Sequence, residues 1–271
     1  MQMTKTMKII LYTALAILLA IALFIVLSFY GNPISKILAD KAADQYLETH
    51  HRDLDLVHER AYYNFKDGTY VVRLWDKNSI DTKFTLEFDS FGKMKRDTYD
   101  ERFFNTFRRY MGFLDDLADE IAKDCGLGFE LWLRPDDDID YRAYLTLDQD
   151  FDAKALPSKV EAGFKAYAEK PSLDDLMNGL KKVYEALKER NIAVSEYSGL
   201  VVPNADKAEE GRAESWANAI SAGDVPERVI VDGDLDELKR IFDEENSYVN
   251  TKSSRLLPKF KTQKINSCCA A

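Results

Sequence analysis

Hydrophobic residues run along this chain with three different periods, and each period predicts a different element. The first is an unbroken run. Ile9 to Tyr30 is 22 residues long, carries no charge, proline or glycine, and holds fourteen Leu, Ile, Val or Phe. As a helix it spans roughly 33 Å at ~1.5 Å per residue, enough to cross the hydrocarbon core of a bilayer. A secretory signal has a shorter apolar region, about 7–15 residues, and a small-x-small cleavage site. Ser28-Phe29-Tyr30-Gly31-Asn32-Pro33 offers a poor one. Tyr12 and Phe29-Tyr30 fall where interfacial aromatics belong. The run therefore predicts an uncleaved transmembrane helix.

The second period is near 3.6. After Pro33, a good first residue for a helix, Leu38/Ala39, Ala42/Ala43 and Tyr46/Leu47 recur at four-residue spacing. The third period is 2. Val57–Phe65 and Tyr70–Trp75 flank Lys66-Asp67-Gly68-Thr69, and Asp-Gly is a strong hairpin signal. Phe84, Leu86 and Phe88 alternate with polar residues, and Ser90-Phe91-Gly92 turns the chain into Lys93–Tyr99. This reads as a helix followed by a four-stranded antiparallel meander. A long helix over Asp100–Asp124 comes next, with Phe103, Phe107, Tyr110, Leu114, Leu117 and Ile121 as its stripe.

The second half predicts strands at Leu127–Leu133 and Tyr141–Leu147, then helices at Lys159–Glu169 and Leu173–Arg190, the latter opened by Ser172. A strand over Ile192–Val202, a helix over Glu209–Ser221, a short strand over Arg228–Val231 and a helix over Asp234–Glu245 complete the pattern. The expected class is α+β: an N-terminal transmembrane helix followed by two small α+β units with antiparallel sheets. The expected division is a cytoplasmic tail at 1–8, the transmembrane helix at 9–30, a first unit at 33–124, a second at 125–245, and a mobile basic tail at 246–271.

Charge sharpens the picture. Only Lys5 and Lys8 are charged in the first 35 residues, so all 47 Asp and Glu follow them, in a chain of net charge −10. An acidic body is repelled by nucleic acid, which is not expected as a partner. Lys5, Lys8 and the amino terminus on one side outweigh Lys36 and Lys41 on the other, where Asp40 intervenes. That bias favours a cytoplasmic N-terminus, with the C-terminal part outside the cell membrane. The expected partners are the lipid bilayer, through residues 9–30, and an envelope protein or peptide. Cys125, Cys268 and Cys269 have no zinc spacing and build no disulfide framework.

Candidate chemistry is sparse. Adjacent His50 and His51 point in different directions and make a poor chelating pair, and His58 falls in an alternating strand. Asp136, Asp138 and Asp140 form a D-x-D-x-D run that invites a calcium reading. A calcium hand loop needs Gly at its sixth place and Glu at its twelfth, and here Tyr141 and Leu147 stand there. Asp148, Asp150 and Asp152 repeat the spacing without the glycine, and Asp232, Asp234 and Asp236 have Gly233 in the wrong place. Ser90-Phe91-Gly92-Lys93 matches S-x-x-K but falls in a turn instead of at a helix start. No catalytic residue and no cofactor is assigned, and the reading leans away from an enzyme. The metal candidates are Asp136, Asp138 and Asp140.

Asn32-Pro33, Tyr63-Asn64-Phe65-Lys66-Asp67-Gly68-Thr69-Tyr70, Ser79-Ile80-Asp81-Thr82-Lys83-Phe84, and Asn105-Thr106 with Arg109 carry a resemblance. Over its first 110 residues the chain resembles the YfjL-like proteins, single-pass membrane proteins of Bacillus-type bacteria. The resemblance implies a Gram-positive envelope location and an antiparallel first unit, and supplies no catalytic residue. Lys83 stands where the family leads one to expect histidine, which argues against an essential metal ligand there. The expected function is a non-enzymatic, membrane-anchored extracytoplasmic protein that binds or modulates an envelope component. The alternative is an envelope hydrolase or a weak calcium-binding domain using Asp136–Asp140.

Overall fold

The computed structural model describes residues 4–208 and 214–251. The chain forms two compact units divided between Asn105 and Thr106.

The first unit opens with α1, Lys5–Tyr30. Thr4 caps it, its hydroxyl accepting from the Met7 amide. No residue of α1 is buried. Gly31, at φ 71°, breaks the helix, and Asn32 caps α2, Pro33–Leu47, through its side chain to the Ile34 amide at 2.9 Å. The sheet that follows has β1 (Leu56–His58), β2 (Tyr62–Asn64), β3 (Thr69–Asp76), β4 (Lys83–Phe88) and β5 (Met94–Asp97), every pairing antiparallel. The order is β1-β3-β4-β5, with β2 also on β3.

The strand expected over Val57–Phe65 is thus two short strands on the same edge of β3. Asp40 of α2 explains the interruption, because its carboxylate accepts the Ala61 amide at 2.6 Å, taking a donor the sheet would otherwise use. Ala39 and Ala43 of α2, both 0 % exposed, lie on Tyr70, Val72, Leu74, Phe84, Leu86 and Phe88. Small residues on the helix let it sit close to that aromatic-rich face, which excludes water from both.

The second unit takes most of α3, Phe103–Asp124, whose buried stripe is Thr106, Tyr110, Leu114, Leu117, Ala118 and Ile121. Its sheet has β6 (Glu130–Pro135), β7 (Val160–Ala168), β8 (Val194–Pro203) and β9 (Ile220–Val225), in that order across the sheet. The helices are α4 (Leu173–Glu189), α5 (Glu227–Asp232) and α6 (Leu235–Thr251). The α+β class holds, but this sheet is mixed, not antiparallel: β7 and β8 run parallel while the outer pairs are antiparallel. Parallel neighbours need a crossover of a dozen or more residues, and α4 supplies it.

Several local expectations are corrected. Of Lys159–Glu169, Val160–Ala168 is strand, paired with β6 on one side and β8 on the other; its Ala, Lys and Glu content imitates a helix, but Val160, Ala162 and Phe164 are buried on one face of the sheet. Tyr141–Leu147 is no strand: Tyr141–Ala143 is a 3-10 turn capped by Asp140. Arg228–Val231 lies in helix α5, behind Pro226, which presets the helical entry. The helix expected over Glu209–Ser221 is absent from its described part, where β9 begins at Ile220. α6 runs to Thr251, into the expected tail, and Cys268 and Cys269 lie outside the described residues.

One contact locks the crossover. Phe164 of β7, 1 % exposed, lays its ring over Gly179 of α4 and Gly199 of β8. A Cβ at Gly179 would come 2.0 Å from the Phe164 ring, and one at Gly199 would come 2.6 Å from it. Overpacking of this kind costs typically about 1–3 kcal/mol. Gly179→Ala is therefore expected to lower the unfolding free energy by about 2 kcal/mol, as overpacked cores commonly do. Adding Phe164→Leu should recover part of the loss, a non-additivity readable in denaturant melts of the single and double variants.

Candidate functional site

Two features of the chain can support function: the exposed apolar helix with its junction, and the acidic loop after β6. The helix is the simpler. An 18-residue window of the Lys5–Leu47 region reaches a mean hydropathy of 3.0, and none of it is buried. It is long and apolar enough to cross a membrane.

Its junction is stiff. Gly31 packs so tightly on Tyr63 that a Cβ would meet the Tyr63 side chain at 2.5 Å. The Asn32 amide donates to the Tyr70 hydroxyl at 2.8 Å. Phe29, inside the apolar run, meets Phe65 of the β2–β3 turn with ring centroids 5.8 Å apart. The helix therefore ends directly on the sheet of its own unit.

In the acidic loop, Asp136, Asp137 and Asp138 bring ligand oxygens within 4.8 Å of one another. Asp137 thus joins two of the sequence candidates, whereas Asp140 stands outside this group and accepts the Arg142 amide at 2.9 Å. Asp136 accepts the Asp138 amide at 3.1 Å, closing a turn. Glu161 of β7, missed in the sequence because its segment read as helix, accepts the Asp137 amide at 3.0 Å. Burial pushes the Glu161 carboxyl above its ordinary value, the Asp137 amide offsets part of the rise, and the nearby charges of Asp137 and Asp136 add to it. Hard oxygen ligands at this spacing can gather a divalent cation, and cation binding would lower the same carboxyl. Burial also raises the phenol of Tyr144 to about 12, with smaller upward pushes from Tyr110, Asp136 and Asp140 and an opposing one from Ser158.

The remaining candidates serve local ties. Asp152 accepts the Lys154 amide at 2.9 Å, and Asp234 caps α6 by accepting the Glu237 amide at 3.0 Å. Ser90–Lys93 is a turn in which Asp89 accepts the Phe91 and Lys93 amides at 2.8 and 2.9 Å. His50 stacks on Tyr46 at 3.9 Å between centroids, and His58 Nε2 meets Asp44 at 3.0 Å. His51, at φ 57°, places Nε2 3.1 Å from Asp97, which also accepts the Tyr46 hydroxyl at 2.8 Å. Burial and then that bond to Asp97 raise the Tyr46 phenol to about 12. This His51–Asp97–Tyr46 cluster was invisible in sequence, its members being 46 and 51 positions from Asp97. Another hidden cluster centres on Glu214, which accepts from the Tyr167 hydroxyl at 2.5 Å and the Trp216 indole at 2.7 Å. Those two bonds hold its carboxyl below the usual range.

With this geometry in place, residues 6–101 match the family model of the YfjL-like, N-terminal domain, and this segment is assigned to the YfjL-like family. The matched segment starts inside the apolar helix and closes just short of the boundary between the two units. No curated protein and no solved structure matches the chain.

Glu161 and Glu214 have opposite signs in pH. A carboxyl raised in the fold contributes stability below its unfolded value and loses it as pH rises through the folded one. Glu161→Gln is expected to raise the melting temperature at neutral pH and to lose that advantage in acid. For the lowered Glu214 the stability is present above the unfolded value and fades as pH falls through the folded one. Glu214→Gln should lower the melting temperature at neutral pH and converge on wild type in acid. Thermal melts of both variants across the carboxylate range test the two signs together.

Proposed function

We propose that the chain is a single-pass protein of the cell membrane, with its N-terminus in the cytoplasm and its folded units outside, that binds or modulates an envelope component without catalysing a reaction. The observation that carries this reading is α1: 26 residues, none of them buried, joined without a linker to a folded sheet. Lys5 and Lys8, just before the apolar run, support the orientation. The use made of ionisable groups supports binding over catalysis: the histidines serve stacking and carboxylate ties, and Asp89, Asp140 and Asp234 close turns and cap helices.

Membrane pellets washed in alkaline carbonate should retain the full chain, and deletion of residues 9–30 should release it. Protease added to intact cells should remove the folded units while leaving cytoplasmic controls whole. Recovery of the wild-type chain in the soluble fraction contradicts the anchor, and protection of the units in intact cells with degradation after lysis contradicts the orientation.

The second reading is a weak calcium site on Asp136, Asp137 and Asp138, supported by the 4.8 Å grouping of their oxygens. Millimolar calcium would then raise the melting temperature of the full chain, and Asp137→Asn would abolish the rise. An unchanged melting temperature removes this reading.

A further inference from the structure

The strand register places two hairpin turns of the first unit, β2–β3 and β4–β5, at one end of its sheet, and the β3–β4 turn at the other. Tyr63 pairs with Tyr70, Tyr70 with Phe88, and Phe88 with Met94, so these four residues form one row across β2, β3, β4 and β5. Just beyond that row lie the β2–β3 turn, with Phe65, and the β4–β5 turn, with Phe91. The same end receives α1, through Phe29 on Phe65 and the Asn32 amide on Tyr70. The start of α2 is there too, since the backbone at Gly92 lies against the Leu38 carbonyl, where a Cβ would approach to 3.0 Å.

This end is unusually apolar for a water-facing edge. Phe91 is 84 % exposed, the highest among the described large hydrophobic residues, and Phe65, Ile34 and Ile37 are 55 %, 66 % and 56 % exposed. At the opposite end, Ile80 is the one exposed large hydrophobic among the described residues. Scattered single residues need no explanation, but a set gathered around the exit of an apolar helix does. Charge is graded in the same sense. Lys66 and Lys93 are exposed beside the two aromatic tips. The acids of the same turns are occupied: Asp67 accepts from the Asn64 side chain at 2.6 Å, and the Lys93 and Phe91 amides hold the Asp89 carboxyl below its usual range. Along the outward face of α2, Ile34 and Ile37 give way to Lys41 and then Asp44.

We propose that this end is a membrane foot: Phe65, Phe91, Ile34 and Ile37 enter the interfacial layer of the bilayer around α1, while Lys66 and Lys93 meet lipid phosphates. The foot rests on α1 spanning the membrane. Continuity with that helix selects the occupant, because residues fixed to the end of a spanning helix are carried into the headgroup zone whatever else the protein binds. Aromatic rings and snorkelling lysines are the side chains that zone favours.

The test uses the full chain, with Cys125, Cys268 and Cys269 replaced by Ser, in vesicles of phosphatidylcholine and phosphatidylglycerol. A single cysteine carrying an environment-sensitive fluorophore is placed by Phe91→Cys, Phe65→Cys, Asn78→Cys at the far turn, or Leu23→Cys within α1. Labels at Phe91 and Phe65 are expected to emit to the blue of the Asn78 label and to lose most of their emission when the lipids carry brominated acyl chains. The Asn78 label should do neither. If the Leu23 label is quenched while those at Phe91 and Phe65 behave like Asn78, the foot is overturned and the anchor stands. If the Leu23 label is not quenched, the anchor itself fails. A blue shift at Phe91 that follows protein density and ignores bromination means that a second copy of the chain covers this face, which also overturns the proposal.

Discussion

The cost of wetting α1 governs how this chain can be arranged. Each large apolar side chain left in water forfeits about 1.5–3 kcal/mol relative to burial, and the described structure buries none of the helix. Among the described residues, packing does not offset that cost. A bilayer would offset it, and a helix satisfies its backbone hydrogen bonds within itself, which makes it one of the few forms of chain that can enter one. The stiffness of the Gly31–Tyr63 contact then transfers this constraint to the first sheet.

The folded units themselves rest on ordinary packing, by two different solutions. In the first unit, alanines of α2 admit an aromatic-rich sheet at close range. In the second, glycines of α4 and β8 make room for one large ring from β7. Both place the bulk on a strand and the vacancy on its partner, the complementarity that dense interiors require. Cys125 accepts a hydrogen bond from Arg190 at 3.1 Å, in a tie shared with Asp124.

Legibility in the sequence followed the strength of the local signal. The uncharged run at Ile9–Tyr30 as a helix, the Asp-Gly turn and the stripe of α3 are strong local signals, and the resemblance over the first 110 residues agrees with the segment that matches the family model. The failures share a cause. β7 is rich in helix-forming residues, and only its placement between two strands makes it extended. With β7 read as a helix, the parallel pairing with β8 and the nearness of Glu161 to the acidic loop are both hidden. Asp136 and Asp138 were legible as a group because they are neighbours in sequence, whereas the Asp97 and Glu214 clusters join distant residues and leave no local trace.

The direct union of α1 with its sheet has a mechanical consequence. A flexible tether would let the helix turn or tilt in the bilayer while the sheet kept its own heading. Here the backbone of Gly31 is wedged against a tyrosine and its neighbour is bonded to another, so a rotation of the helix about its axis is delivered to the strands as torque. The junction at residue 31 thus couples the heading of α1 to that of the sheet of its own unit.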